Sequence, residues 1–230
     1  MELNPHTCDA INTILHLLEP LYPIEPWQPG GDPLDELILT ILSQNTTDSN
    51  CYYTYQAMRH AFPTWNDVLD APRTALEAQI RPAGLAHMRS QRIQTILRTI
   101  KQEHGSLSLS FLEDLSDAEA EAWLLRFDGV GRKTARCVLL FAMGRDVFPI
   151  DTHILRILRR MGILPSTMDA GHAHVAIQAL IPAGTSYALH LRLITHGRRI
   201  CTARNPACGD CVLLAICAHR DSLVSAPGGP

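Results

Sequence analysis

Four cysteines, Cys201, Cys208, Cys211 and Cys217, are spaced C-x6-C-x2-C-x5-C. Thiolates bind soft or borderline metals, and four of them complete either a tetrahedral zinc site or the corners of an iron–sulfur cube. Structural zinc is usually gripped by two close pairs, but here only Cys208 and Cys211 are close, with wider gaps on both sides. Wider gaps suit a larger object with four separate corners, and Pro206, Gly209 and Asp210 supply turns to wrap it. Spacing therefore favours iron–sulfur and leaves zinc open. Cys8, Cys51 and Cys137 are scattered and read as small core residues.

A second group lies in Phe127-Asp128-Gly129-Val130-Gly131-Arg132-Lys133-Thr134-Ala135. Gly-x-Gly between two helical patterns allows a tight turn that exposes successive backbone N–H groups. Those donors and a helix N-terminus make an anion site, into which a nucleic-acid phosphate fits without any base being read. A lone Gly-x-Gly is equally an ordinary turn, and Arg132 and Lys133 add weight to the anion reading. Lys133 falls in the first turn of the next helix, where a cation opposes the helix dipole. The same field favours the neutral amine, a nucleophile able to form a Schiff base; a solvated lysine is the plainer alternative. Asp151 follows eighteen residues later, directly before an apolar helical pattern. It reads as an N-cap worth ~1 kcal/mol, or as a carboxylate that takes a proton or balances positive charge on a sugar. The two readings are compatible, and His153 is given no role.

The elements that position these residues read as helices. Leu34, Leu37, Ile38, Ile41 and Leu42 form one face behind Asp32 and Pro33. Ile93, Ile96, Leu97 and Ile100 repeat the pattern from about Met88 to Glu103, and Ser116 with Glu119 is a capping-box pattern. Further faces run through Ala135–Ala142, stopped by Gly144, through Ile154–Leu158, and through Leu189–Ile194. Thr7–Leu18 predicts an N-terminal helix, Glu19–Pro33 a linker, and Ser225–Pro230 a frayed tail. Only Ser106–Phe111 alternates like a strand, and it has no partner. The expected class is all-α.

With 230 residues, 46% hydrophobic and 19% charged, disorder as the main state is excluded. No apolar run approaches the ~20 residues of a membrane span. Met1–Thr7 lacks the basic and apolar regions of a secretory signal, and no Lys or Arg precedes Arg59. The expectation is a cytoplasmic protein, nucleoid-associated if prokaryotic. A net charge of −3 argues mildly against nucleic acid, but the charge is uneven. Residues 1–125 hold 7 Lys and Arg against 17 Asp and Glu, residues 126–160 hold 8 against 3, and Arg192, Arg198, Arg199 and Arg204 fall in an acid-free stretch. Both basic stretches adjoin the motifs above, which points to a charged binding face.

Together these residues resemble the endonuclease III family, helix-hairpin-helix DNA glycosylase/AP lyases with a Gly/Pro-rich loop and a catalytic aspartate. Phe127–Ala135 resembles that family's L-P-G-V-G-x-K-T-A hairpin. Gly144, Pro149 and Asp151-Thr152-His153 resemble its loop, Cys201–Cys217 its cluster spacing, and Ile41–Asp48 more loosely its L-S-x-Q-x-T-D. The resemblance covers residues 5–220. It implies two helical domains flanking a DNA cleft: a six-helix barrel domain with the hairpin at 30–147, and a cluster domain made of 1–29 and 148–230. It further implies a 4Fe-4S cluster on Cys201, Cys208, Cys211 and Cys217, and catalysis by Lys133 and Asp151. Its DNA contacts would be Gly129, Val130, Gly131, Arg132, Gln44, Asn45, Leu85, Arg198 and Arg199. The expected partner is double-stranded DNA with damaged bases or abasic sites, bound by a monomer that excises oxidised pyrimidines and nicks by β-elimination.

Three positions depart from the pattern. Asp128 replaces the hairpin proline, Asn45 stands where a Gln fills the gap left by the flipped base, and Ala86 replaces the aromatic of a G-L-Y loop. Two rivals stay open: an adenine-mismatch glycosylase, against which Lys133 and the short segment after Cys217 count, and an iron–sulfur DNA-binding module without turnover.

Overall fold

The computed structural model describes residues 6–220, so the expected frayed tail Ser225–Pro230 and the side chain of Cys8 lie outside the described part. Every regular element among the described residues is helical. No described helix is long and apolar enough to cross a membrane. The alternating Ser106–Phe111 forms no strand, and a 3₁₀ turn, Ser110–Asp114, begins inside it. Its serines satisfy one another locally, Ser108 Oγ donating to Ser110 Oγ at 3.1 Å, which is how short hydroxyl side chains compete with a ladder.

The chain divides into two compact units, one formed by residues up to Gln28 and from Asp146 onward, the other by Pro29–Arg145. The discontinuous unit holds α1 (His6–Leu18); the continuous unit begins with α2 (Pro33–Ser43). Asp32 caps α2, accepting from the Leu34 amide at 2.7 Å, and Pro33 occupies its first turn. There follow α3 (Asp48–Ala61), α4 (Trp65–Asp70), α5 (Arg73–Ile80), α6 (Ala86–His104), α7 (Asp117–Leu124) and α8 (Arg132–Cys137). The capping box at Ser116 and Glu119 forms, each side chain holding the other's amide. Helix α8 widens into a single π-helical stretch, Val138–Ala142, and stops at Gly144, whose φ is 65°. Leu34, Leu37, Ile38, Leu97, Ile100, Val138 and Leu139 are buried to the last few percent, and each such side chain contributes ~1.5–3 kcal/mol.

The discontinuous unit adds α9 (Thr152–Arg160), α10 (Ala170–Gln178) and α11 (Ser186–Arg199), then a loop with two 3₁₀ turns, Cys208–Asp210 and Leu214–Ile216. Its core joins Ile11, Ile14 and Leu18 of α1 to Ile154, Ile157 and Leu158 of α9 and Leu189 and Leu193 of α11. Helices α9 and α11 pack together, and at Gly197 a Cβ would lie 2.8 Å from His153 Cβ and 3.2 Å from Ile157 Cδ1. The nearer atom belongs to a Cβ fixed to the helix, so a methyl forces the helices apart. Gly197→Ala is expected to cost ~1–3 kcal/mol, the usual cost of overpacking, and thus to lower the melting temperature by several degrees. A melt within one degree of wild type would show that the crossing relaxes freely.

Candidate functional site

The turn between α7 and α8 closes with the Val130 amide donating to the Phe127 carbonyl at 3.1 Å. Gly129 takes a φ of 82°, and a Cβ there would meet the Arg92 guanidinium at 2.8 Å. Arg92 Nε donates to Asp128 Oδ2 at 2.8 Å, so the acid that stands in the proline position is paired rather than left facing an incoming anion. Gly131 caps α8 through its backbone alone, with no side chain accepting from the first amides of the helix, which leaves these N–H groups for another acceptor. Val130 is buried and its amide is spent on the Phe127 carbonyl, so the expectation of a DNA contact there is corrected: Val130 closes the turn. Arg132 is committed to Glu121, Nη1 to Oε1 at 2.9 Å, and the other oxygen of Glu121 takes Arg136 Nε at 3.0 Å. Gln44, expected to contact DNA, turns its side-chain nitrogen inward: Nε2 donates to the Gly129 carbonyl at 2.9 Å and braces the hairpin.

Lys133 is half-buried in the first turn of α8. Helix α2 packs on α8 and brings Glu36 into the electrostatic neighbourhood of Lys133. Burial raises the Glu36 carboxyl, and its hydrogen bond from Thr40 and the Lys133 charge pull it back; the Thr40 hydroxyl lies 3.0 Å from Glu36 Oε1.

Asp151 belongs to the other unit. It caps α9, Oδ1 accepting from the Ile154 amide at 2.8 Å, as its sequence position predicts. The extended residues before it are held by side chains. Gln178 Oε1 accepts from the Phe148 amide at 2.8 Å, and Gln178 Nε2 donates to the Asp146 carbonyl at 3.0 Å. His190 Nδ1 meets the Pro149 carbonyl at 2.9 Å, and His174 Nε2 accepts from the Ile150 amide at 2.9 Å. None of these three holders was predicted. His153 packs beside Arg156 Nη2 at 3.1 Å, and Arg156 holds the carbonyls of Gly197 and Cys201 at 2.7 and 2.8 Å.

Asn45 and Leu85 are exposed residues on separate loops of the continuous unit. Both adopt left-handed backbone, with φ of 54° and 51°. Arg198 and Arg199 are exposed at the end of α11, Arg199 standing 5.9 Å over the Tyr22 ring. Arg192, part of the same basic stretch, is instead buried, with Nη2 2.8 Å from Glu19 Oε1.

The four thiols beyond α11 are free of disulfides and line one recess together with Arg160, Ile200 and Leu214. Cys201, Cys211 and Cys217 also pack against the apolar core. Among the described residues no three His, Cys, Asp or Glu side chains gather as a single-ion site. Arg160 Nη1 donates to Cys201 Sγ at 3.2 Å, a cation well placed against thiolate charge. His196 Nε2 lies 3.4 Å from Cys211 Sγ, and burial draws its imidazole down to about 4. The donor set, its apolar bed and the adjacent guanidinium fit an iron–sulfur group. Protein prepared anaerobically is expected to carry about four irons per chain; stoichiometric zinc in place of iron would contradict this.

Comparison with known proteins sets these features in a family. The description "HhH-GPD superfamily base excision DNA repair protein" matches residues 38–182, and the iron–sulfur binding domain of endonuclease III matches 201–217, Cys201 to Cys217. Endonuclease III of Thermotoga maritima is 30% identical over 81% of this chain and 83% of its own length. A protein of Arabidopsis thaliana provisionally named a DNA glycosylase is 39% identical over 74% of this chain, which spans 57% of that relative. A solved non-covalent endonuclease III–DNA complex shares the fold, with a TM-score of 0.80 at 24% identity over 95% of this chain and 99% of its own. The chain therefore belongs to the endonuclease III family of base excision DNA glycosylases, with a 4Fe-4S cluster as its cofactor.

Proposed function

We propose that this protein is a bifunctional DNA glycosylase and AP lyase, which removes damaged bases, oxidised pyrimidines foremost, from double-stranded DNA and nicks the strand by β-elimination. The observation that carries this reading is Lys133, a primary amine in the first turn of the helix behind the hairpin. A glycosylase that used water as its nucleophile would need no amine there.

In this reading the damaged base is flipped out of the stack. The Lys133 amine forms a bond to C1′ as the C1′–N bond to the base breaks, and the base leaves with the electron pair and a proton. Asp151 supplies the negative charge that balances the cationic sugar and takes a proton from the attacking nitrogen. Ring opening gives a protonated Schiff base. Loss of a C2′ proton then expels the 3′ phosphate, and water releases the lysine. The amides of Gly129 and Gly131 take a backbone phosphate, and Arg198 and Arg199 take others. Asn45 and Leu85 enter the space that the flipped nucleotide leaves. Cys201, Cys208, Cys211 and Cys217 would hold the cluster, which when bound ties their loop to α9 and α11 and supplies no chemistry at the sugar. The protein acts as a monomer.

Borohydride reduction in the presence of abasic-site DNA tests this reading. A Schiff base is reduced to a stable amine, so a covalent protein–DNA adduct is expected. Base release without any adduct would assign a glycosylase that lacks the lyase step, and neither would assign a binding module.

A further inference from the structure

Among the described residues, the largest of the fully buried side chains is a cation, Arg89 of α6, only 1% exposed. No described carboxylate pairs with it; its partners are main-chain oxygens. Nη1 donates to the Ala83 carbonyl at 2.6 Å, and Nη2 donates to the carbonyl of Gln44. Burial without a carboxylate disfavours a charge strongly, so the two carbonyls must repay much of that cost.

The position of these carbonyls is the informative part. Gln44 directly precedes Asn45, and Ala83 lies two residues before Leu85. Asn45 and Leu85 are two of the three non-glycine residues with positive φ among the described residues, a conformation that costs non-glycine side chains and persists where the surroundings hold it. Leu85 is moreover 55% exposed, an apolar side chain kept in water. One guanidinium, planar and with its donors in a fixed fork, thus fastens the roots of both exposed tips to each other.

We propose that Arg89 is a positioning residue for lesion recognition: it clamps the Asn45 and Leu85 loops into one rigid two-pronged probe without touching DNA itself. This rests on the reading above that both tips enter the duplex. Arg is suited to the task where Lys is not, because a single ammonium on a flexible stem cannot fix the angle between two carbonyls.

The test uses Arg89→Lys and Arg89→Met in the full chain, with duplexes that carry either a tetrahydrofuran abasic analogue opposite 2-aminopurine or no lesion. Circular dichroism establishes that each variant is folded, and Arg89→Lys decides the matter if Arg89→Met is not. Affinity for the abasic duplex should fall about tenfold or more, the scale of one lost hydrogen bond to a charged group, with undamaged duplex changed less than about twofold, since phosphate contacts dominate there. The 2-aminopurine signal at the orphaned base should shrink in parallel. In wild type the effects of Asn45→Ala and Leu85→Ala on lesion discrimination should be non-additive, and in the Arg89→Lys background additive. If the tip variants lose discrimination while folded Arg89 variants keep it, the clamp is overturned and the tip reading stands. If the tip variants keep discrimination too, the tip reading itself fails and the clamp with it.

Discussion

Lys133→Gln is expected to abolish strand nicking and borohydride trapping together. Both need a primary amine that forms a carbon–nitrogen double bond, and an amide nitrogen cannot do so. Base excision through the same amine should fall to the background set by solvent. The fold should survive. Gln has similar length, Lys133 is only half-buried, and Glu36 keeps its hydrogen bond from Thr40. Burial already pushes the Glu36 carboxyl up, and loss of the Lys133 charge pushes it the same way. A stability change of about 1 kcal/mol or less is expected. Tight binding to abasic-site DNA without turnover should remain. A variant that nicks abasic DNA at the wild-type rate would remove the lyase from the assignment.

Asp151→Asn separates two jobs held by one side chain. The amide oxygen can still accept from the Ile154 amide that Asp151 Oδ1 now caps at 2.8 Å, and Asn is as good an N-cap as Asp. The melt should barely move, whereas Asp151→Ala should cost ~1 kcal/mol by removing the cap. The negative charge is lost in both. Help with proton transfer is typically worth ~10²–10⁴-fold, so base excision should fall by at least that much in both variants. Equal activity of wild type and Asp151→Asn with an unchanged melt would leave Asp151 as a helix cap and nothing more.

The sequence made the local signals plain. Asp32 and Pro33 announce α2, and Ser116 with Glu119 announces α7, because capping is a contract between residues within one turn. The single close pair in the cysteine run pointed away from two-pair zinc, and family matching over 201–217 assigns iron–sulfur. What stayed hidden depends on distant partners. Gln44 reads as a surface group beside a tip, yet its acceptor, the Gly129 carbonyl, lies 85 residues away. Arg132 reads as a free phosphate ligand, yet Glu121 beneath α8 holds it. Arg92 and Asp128 are 36 residues apart, and nothing in either neighbourhood announces that the acid in the hairpin is paired. Helix α3 mixes two exposed tyrosines with polar residues, so no clean apolar stripe marks it. The widening of α8 over Val138–Ala142 follows an unbroken apolar pattern that an ordinary α-helix fits as well.

The residues that lead into Asp151 have a bearing on how such an enzyme can diversify. From Phe148 to Ile150, Gln178, His190 and His174 do the work that a neighbouring strand would do in a sheet. A sheet can be altered only by shifting a whole register; here each anchor is one side chain on α10 or α11. His174 shows how finely the arrangement is set. Its Nε2 accepts from the Ile150 amide, so Nδ1 must carry the proton toward the Ala170 carbonyl, 2.6 Å away. One tautomer alone satisfies both neighbours. Exchange of a single anchor would thus shift the carboxylate while the helices stay where they are, so the chemistry can be retuned in small, separate steps.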